Sequence, residues 1–255
     1  MFENERHQKI MDILEKDKKV SVNKLVKSLY VSPATVRRDL CEMSRKGLLK
    51  RTYGGAIVYA SSSQESAIVV RENDNKTEKV AICSKCLDFI GNNMSIFLDS
   101  SSTVTHLIDF LNERKYLTVI TTGLTSASLL TQKTNFTTYI PGGFIKSHSN
   151  SLQGEMVTQS INKIHTDLFI FSCSGFSHSG GVTEANIEQA EIKKAMARNA
   201  QTKILLVDSS KIGKTFLAES IKLDDLDIVI TDKKLDEQFK TELTDLNIKI
   251  VECEK

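Results

Sequence analysis

Apolar residues recur at helical spacing three times in the first fifty positions. From Glu5 to Lys16 they are Ile10, Ile13 and Leu14, set among Glu, Lys and Arg, which predicts an amphipathic helix. Val20-Ser21-Val22 is a short β-like patch, after which Ser21 or Asn23 can cap a second helix reaching Tyr30, with Leu25, Val26 and Leu29 on its apolar face. Ser32 followed by Pro33 predicts a third helix start, a serine N-cap with proline at the first helical position, where its missing N–H is no loss. This helix runs to about Lys46 and stops at Gly47. Two short strands joined by a Gly54-Gly55 turn are expected between Leu48 and Val58, a β-hairpin wing.

The period then changes. Ala60-Ser61-Ser62-Ser63-Gln64-Glu65-Ser66 is polar and carries no apolar repeat, so a boundary is placed there: residues 1–58, a linker 59–75, and a second domain 76–255. In that second part, brief apolar runs at 95–99, 117–121, 137–140, 167–171, 203–208 and 227–231 alternate with helical stretches at 80–90, 103–111, 126–130, 187–198 and 235–245. Runs of Val, Ile, Leu and Phe without polar alternation suit strands buried on both faces. The expected fold class is therefore α/β: an N-terminal winged helix-turn-helix joined to a Rossmann-like, mainly parallel sheet.

Charge sharpens this division. Residues 1–60 hold 13 Lys and Arg against 7 Asp and Glu, and the remainder 21 against 25, so a basic module precedes a mildly acidic body. The five cysteines, Cys41, Cys83, Cys86, Cys173 and Cys253, are scattered and odd in number, as for reduced thiols rather than a disulfide framework. No apolar run approaches the ~18 residues of a membrane span, and the N-terminus lacks a signal-peptide pattern, so a cytoplasmic protein without membrane association is expected. Cys83-Ser84-Lys85-Cys86 lies within a helix and has no second Cys/His pair at zinc spacing. Gly180-Gly181 is no G-x-G-x-x-G element. Neither metal nor cofactor is expected.

On the third helix Val36, Leu40 and Met43 fall at i, i+4 and i+7 and belong to the core. Thr35, Arg37 and Arg38 point elsewhere, a hydroxyl-and-guanidinium surface suited to base edges and phosphates, with Ser32 at its start. Asp39 beside them reads as an orienting partner for an arginine, since phosphate repels it. Lys50, Arg51, Tyr53 and Gly54 on the wing would flank a duplex and hold phosphates. The expected macromolecular partner is a double-stranded DNA operator.

These residues carry a specific resemblance. Arg6, Val20-Ser21-Val22, Leu25, Leu29, Val31-Ser32, Thr35-Val36-Arg37-Arg38-Asp39-Leu40, Gly47, Leu49, Arg51 and Gly54-Gly55-Ala56 resemble the helix-turn-helix of the DeoR family, with Met43 where the family often has Leu. The second part is similar to that family's C-terminal domain through Phe97-Leu98-Asp99-Ser100-Ser101-Ser102-Thr103, Leu117-Thr118-Val119-Ile120-Thr121, Gly142-Gly143, Gly180-Gly181-Val182-Thr183, Glu188-Gln189-Ala190-Glu191-Ile192-Lys193 and Asp208-Ser209-Ser210-Lys211-Ile212-Gly213. The resemblance implies a fold similar to ribose-5-phosphate isomerase and glucosamine-6-phosphate deaminase.

On residue chemistry alone the loop after Asp99 is equally an anion site, hydroxyls and N–H groups at a helix start, or an ordinary serine-capped helix, and Lys211 comes to a strand end. The Pro141-Gly142-Gly143 loop allows close backbone approach. By the resemblance, Ser100, Ser101, Ser102 and Thr103 would hold the phosphate of a sugar phosphate, while Asp99, Glu188 and Lys211 line the sugar pocket. The family often shows Gly-Ala-Asp-Gly where this chain has Ser172-Cys173-Ser174-Gly175, so Ser174 stands in place of an acid.

The expected function is a DNA-binding regulator, a repressor of a sugar operon controlled by a phosphorylated sugar and working as a homo-oligomer on paired half-sites. The alternative is a sugar-phosphate isomerase or deaminase with an appended DNA-binding domain, Asp99 and Glu188 being its candidate bases.

Overall fold

The computed structural model describes residues 2–57 and 67–253. The polar stretch Ala60–Ser66 and the wing's end at Val58 lie outside them. Contacts divide the chain into two units, Met1–Arg71 and Glu72–Lys255.

The first unit comprises α1 (Glu3–Asp17), β1 (Lys19–Ser21), α2 (Val22–Leu29), α3 (Pro33–Arg45), β2 (Lys50–Thr52) and β3 (Gly55–Ile57). Of the two candidate caps for α2, Ser21 is the one used, accepting from the Lys24 N–H at 3.2 Å. Ser32 caps α3 through the Thr35 N–H, with Pro33 at its first position. Gly47 ends α3 at φ 71°; its N–H reaches the Ser44 carbonyl at 3.0 Å and that of Leu48 the Met43 carbonyl at 2.9 Å, the Schellman pattern of a glycine at C′. Ile10, Leu14, Leu25, Val36, Leu40, Met43 and Leu49 are fully buried and form one core.

The expected two-stranded wing with a Gly54-Gly55 turn needs correcting, while the β-like patch is indeed a strand. The wing turns at Tyr53-Gly54, and Gly55 lies within β3. The β-like patch is a third strand: β1 pairs antiparallel with β3, giving the order β1-β3-β2. Gly55 permits this, because a Cβ there would stand 2.0 Å from the Val20 carbonyl oxygen.

Part of the expected linker is helical, α4 (Ile68–Asn73). The second unit continues with α5 (Lys76–Cys86), β4 (Ser95–Leu98), α6 (Ser102–Leu111), β5 (Thr118–Thr121), α7 (Leu124–Lys133), β6 (Thr137–Tyr139), β7 (Phe144–Lys146), β8 (Ser151–Gln153), α8 (Glu155–Ile161), β9 (Thr166–Phe171), β10 (Gly175–Ser177), β11 (Gly181–Glu184), α9 (Ile187–Arg198), β12 (Ala200–Val207), β13 (Ala218–Ile221), β14 (Ile228–Thr231), α10 (Glu237–Asp245) and β15 (Lys249–Glu252). Seven strands form one sheet in the order β15-β14-β12-β9-β4-β5-β6, every neighbouring pair parallel. Two small antiparallel sheets, β10-β11-β13 and β7-β8, come from segments whose strands the pattern does not single out.

The apolar runs explain the large sheet. Ile96 and Leu98, Leu168 and Ile170, and Ile204 and Leu206 face a layer with Ile82 of α5 and Leu107 and Ile108 of α6. The alternate residues Phe97, Phe169, Phe171, Leu205 and Val207 face Val157 and Ile161 of α8, Ile192 and Met196 of α9 and Phe239 of α10. Helices cover both faces, so the centres of these strands are apolar on both sides. Strand order reverses between β4 and β9: the chain proceeds outward from β4 through β5 to β6, then returns to β9 on β4's other side. A crevice at the carboxyl ends of such a strand pair is where open α/β sheets bind ligands.

Candidate nucleic-acid interface and strand-end site

Ala34, Arg37, Arg38, Cys41 and Arg45 are all exposed on α3, at successive i, i+3, i+4 spacings that make one stripe. Among the described residues neither the Arg37 nor the Arg38 guanidinium has a hydrogen-bond or ion-pair partner. Thr35 is half-buried, its hydroxyl 2.9 Å from the Ser32 hydroxyl, so both belong to the cap at the head of this stripe. Lys50, Arg51, Tyr53 and Gly54 are exposed on the wing. Tyr30, fully exposed at the left-handed end of α2, stands just ahead of the Ser32 cap and was not singled out from sequence.

Asp39 does orient an arginine, but that arginine is Arg6 of α1. Its Nε and Nη2 donate to the two carboxylate oxygens at 2.6 and 2.8 Å in a buried, bidentate pair. Burial alone would raise the Asp39 carboxyl; the Arg6 hydrogen bonds and charge outweigh it and hold the carboxyl below its usual range. This pair clamps α1 to the buried side of α3 and leaves the opposite side to the two free arginines.

In the second unit the carboxyl ends of β4, β9 and β12 converge. Asp99, at the end of β4, is buried and both its oxygens are engaged. One accepts from the Ser101 N–H and hydroxyl at 3.0 and 2.6 Å; the other accepts from the Ser172 N–H at 3.2 Å and lies 3.1 Å from the Lys193 ammonium. Asp99 thus ties the loop to β9 and has little left for a ligand.

Ser101 caps α6 through the Val104 N–H. Ser102 and Thr103 open that helix, where N–H groups have no intrahelical acceptor. Two cations bracket them: the buried Lys79 ammonium donates to the Ser102 hydroxyl at 3.1 Å, and that of Lys211 lies 3.5 Å from the Thr103 hydroxyl and 2.8 Å from that of Ser172. Amides, hydroxyls and two ammoniums thus gather in one corner, the kinds of group that favour negative charge at a helix start.

Beside Lys211, the Asp208 Oδ2 is buried and accepts no hydrogen bond among the described residues, though Lys211 stands 3.6 Å away. Burial pushes the Asp208 carboxyl up, but the Lys211 charge and the Ser210 hydrogen bonds outweigh this and keep it below its ordinary value.

The other expected site residues are placed elsewhere. Glu188 is exposed, while its neighbour Gln189 is buried and links Ser100 (3.4 Å) to the Ser151 hydroxyl on β8 (2.8 Å). Gly142 and Gly143 lie on the exposed β6–β7 connection, where Gly143 allows close packing against the Gln153 carbonyl and Val157. The two candidate bases are therefore ill placed for turnover, one saturated and one in solvent.

Sequence reasoning missed Lys79, Gln189, Glu184 and Lys193. Lys193 is buried between Glu184 (2.6 Å) and Asp99. Desolvation would lower its pKa, but the two carboxylates more than reverse that and raise it. The signal was present: Gln189 and Lys193 are polar at i and i+4 within the apolar stripe of Ile192 and Met196. Ser174, standing where an acid was expected, donates to Glu184 at 3.3 Å, so β11 brings a carboxylate to that place. Burial pushes the Cys173 thiol up to about 12, which marks it as inert.

Comparison with known proteins bears on both sites. Residues 6–62 match the DeoR-like helix-turn-helix domain and residues 74–233 the DeoR C-terminal sensor domain. The chain belongs to the DeoR family. Among DeoR-family relatives, the HTH-type transcriptional regulator GolR of Listeria innocua is 33% identical over 99% of this chain and 100% of its own length. The L-fucose operon activator of Haemophilus influenzae is 31% identical over 93% and 95% of the two chains. The glycerol-3-phosphate regulon repressor of Escherichia coli is 29% identical over 99% and 100%. The solved ribose 5-phosphate isomerase of Methanocaldococcus jannaschii overlaps 55% of each chain at 16% identity and a TM-score of 0.39, too little to carry an argument. This DeoR-family chain is a transcriptional regulator, and among its described residues no helix is long and apolar enough to cross a membrane.

Proposed function

We propose that this regulator represses a carbohydrate-use operon in the cytoplasm and releases its operator when a phosphorylated sugar binds the strand-end site. The observation that carries the effector assignment is the convergence of Lys79 and Lys211 on the first turn of α6, next to a buried Asp208 oxygen that accepts no hydrogen bond among the described residues. The phosphate takes the Ser100–Thr103 corner and the two ammoniums. A sugar hydroxyl donates to Asp208 Oδ2, which answers the cost of leaving a buried acceptor unpaired. Arg37 and Arg38 enter the major groove on α3, while Lys50, Arg51 and Tyr53 hold the backbone from the wing. Two copies act together on paired half-sites. The relatives, an L-fucose operon activator and a glycerol-3-phosphate regulon repressor, support carbohydrate control.

Gel-shift titration with DNA from upstream of the chain's own gene, with and without a panel of sugar phosphates, tests this. One sugar phosphate should weaken the complex, and Lys211→Ala should bind DNA as tightly as wild type while losing that response. Absence of DNA binding at moderate salt under every condition overturns the reading. So does a folded Lys211→Ala protein that no longer binds DNA.

A further inference from the structure

A further cluster of ionisable groups lies in the first unit, between α1 and α3. A carboxylate oxygen of Glu3, a ring nitrogen of His7 and a carboxylate oxygen of Glu42 all lie within 4.8 Å of one another. Glu3 and His7 share one face of α1 by their i, i+4 spacing. Glu42 comes across from α3, three residues after Asp39, so both acids are on the side that meets α1. No short zinc spacing marks these residues along the chain, because the third stands on a separate helix. Two acids at a surface mean little by themselves, and His7 is what distinguishes this place. It is only 8% exposed, and its Nε2 is buried and makes no hydrogen bond among the described residues. Asp39 Oδ1 stands 3.5 Å from that nitrogen but already accepts from Arg6 Nη2 at 2.8 Å. A buried ring nitrogen left in this state is costly, and the other customary partner of an imidazole nitrogen is a metal ion. Charge agrees with a cation: Glu3, Glu42 and Asp39 place three carboxylates about the ring against the two charges of Arg6 and Lys46.

We propose that Glu3, His7 and Glu42 bind one zinc ion, which straps α1 to α3 beside the buried Arg6–Asp39 pair. The donor set selects the metal. Magnesium and calcium take shells of oxygen, whereas one imidazole with two carboxylates suits zinc. Zinc–ligand bonds of about 2.0–2.1 Å set tetrahedral ligand atoms roughly 3.3 Å apart, so the three groups close by at most about 1.5 Å. Exposed Glu3 and part-buried Glu42 do this by changing rotamer, while buried His7 stays fixed. Glu42 gives up its surface i, i+4 pair with Lys46, a contact of little worth in water. Exposed Glu3 leaves the cluster open to solvent, which provides the ion's path and a water for the fourth position. A strap between two helices exists only in the folded unit, so zinc stabilises that unit by mass action.

Isothermal titration calorimetry on the full chain tests the site. Cys41 is an exposed thiol next to Glu42, so Cys41→Ser, stripped of metal with a chelator, serves as the parent. Zinc chloride should bind it at one ion per chain and raise its melting temperature, and fresh chelator should reverse both. In that background Glu3→Gln, at an exposed position, should fold as the parent does and bind zinc more weakly by roughly tenfold or more. His7→Gln should abolish the one-to-one site. His178→Gln, which removes an exposed histidine paired with Glu242, should bind zinc as the parent does. Absence of a one-to-one site in the parent, a site that survives Glu3→Gln and His7→Gln unchanged, or a site lost on His178→Gln instead overturns the proposal. If His7→Gln does not fold by circular dichroism, Glu3→Gln decides the matter: unchanged zinc affinity there overturns the assignment.

Discussion

The free face of α3 and the strand-end cluster of the second unit both concentrate charge, in opposite states. Arg37 and Arg38 stand in solvent with no partner among the described residues. Lys193 is buried against Glu184 and Asp99, and Arg6 against Asp39. An exposed, uncommitted cation costs the fold almost nothing and is available to a ligand. A buried one is held by carboxylates that would be stranded without it. The difference separates the groups that position a site from those that touch what it binds. Within the strand-end site it sets Lys211, part-exposed and hydrogen-bonded to two hydroxyls, apart from Lys193, which is consumed by its partners.

The largest effect expected from this comparison is on folding. Lys193→Met leaves two buried carboxylates facing each other and should destabilise the second unit by about 3–5 kcal/mol in urea unfolding at neutral pH. A loss below ~1 kcal/mol would erase the distinction between the two kinds of cation.

Asp39 gives the matching test in the first unit, with a pH signature. Its carboxyl is held below the ordinary value by Arg6, so its stabilising contribution is complete above the unfolded pKa of about 3.9 and falls away as pH drops through the lower folded value. Asp39→Asn should therefore lower the urea midpoint of that unit near neutrality, and the gap from wild type should close as the solution is acidified below pH ~4. A gap that persists unchanged to pH 2 would mean the Arg6 pair is not its source.

On the exposed side, Arg37→Ala or Arg38→Ala should cost about 1–3 kcal/mol of operator affinity where the arginine is bidentate to a base, with folding stability moved by less than ~0.5 kcal/mol. A variant that unfolds instead would place these side chains in the scaffold. The smallest perturbation is chemical. Under native conditions at pH 8 a maleimide should modify Cys41, while Cys173, pushed up to about 12 by burial, stays unmodified. A bulky adduct on Cys41, which shares the stripe of Arg37 and Arg38, should block DNA binding and leave the effector-dependent rise in melting temperature intact. Peptide mapping that finds Cys173 labelled as fast as Cys41 would contradict the burial contrast.

Much of this was legible along the chain. The bounds of α9, the Ser32 and Gly47 ends of α3, and six strands of the large sheet, all but β15, follow from local rules: capping, left-handed glycine and uninterrupted apolar runs. What local rules could not reach was any pairing across distance. That β1 adds to the wing depends on Gly55 passing under Val20. The exposure of Glu188 and burial of Gln189 is a single-residue step of about 100° around a helix, and only packing against β8 and the β4 loop decides which of them turns inward.

The linear order of residues was sufficient to specify a basic three-helix module with adjacent arginines on its third helix, followed by a strand–helix alternation that must form a covered parallel sheet, because periodicity and capping act over a few residues. The strand order, and with it the meeting of Asp99, Ser172, Asp208, Lys79 and Lys193 at one crevice, belongs to the tertiary structure. Those residues lie on separate elements, and only the burial of both sheet faces brings their carboxyl and ammonium groups within hydrogen-bond reach.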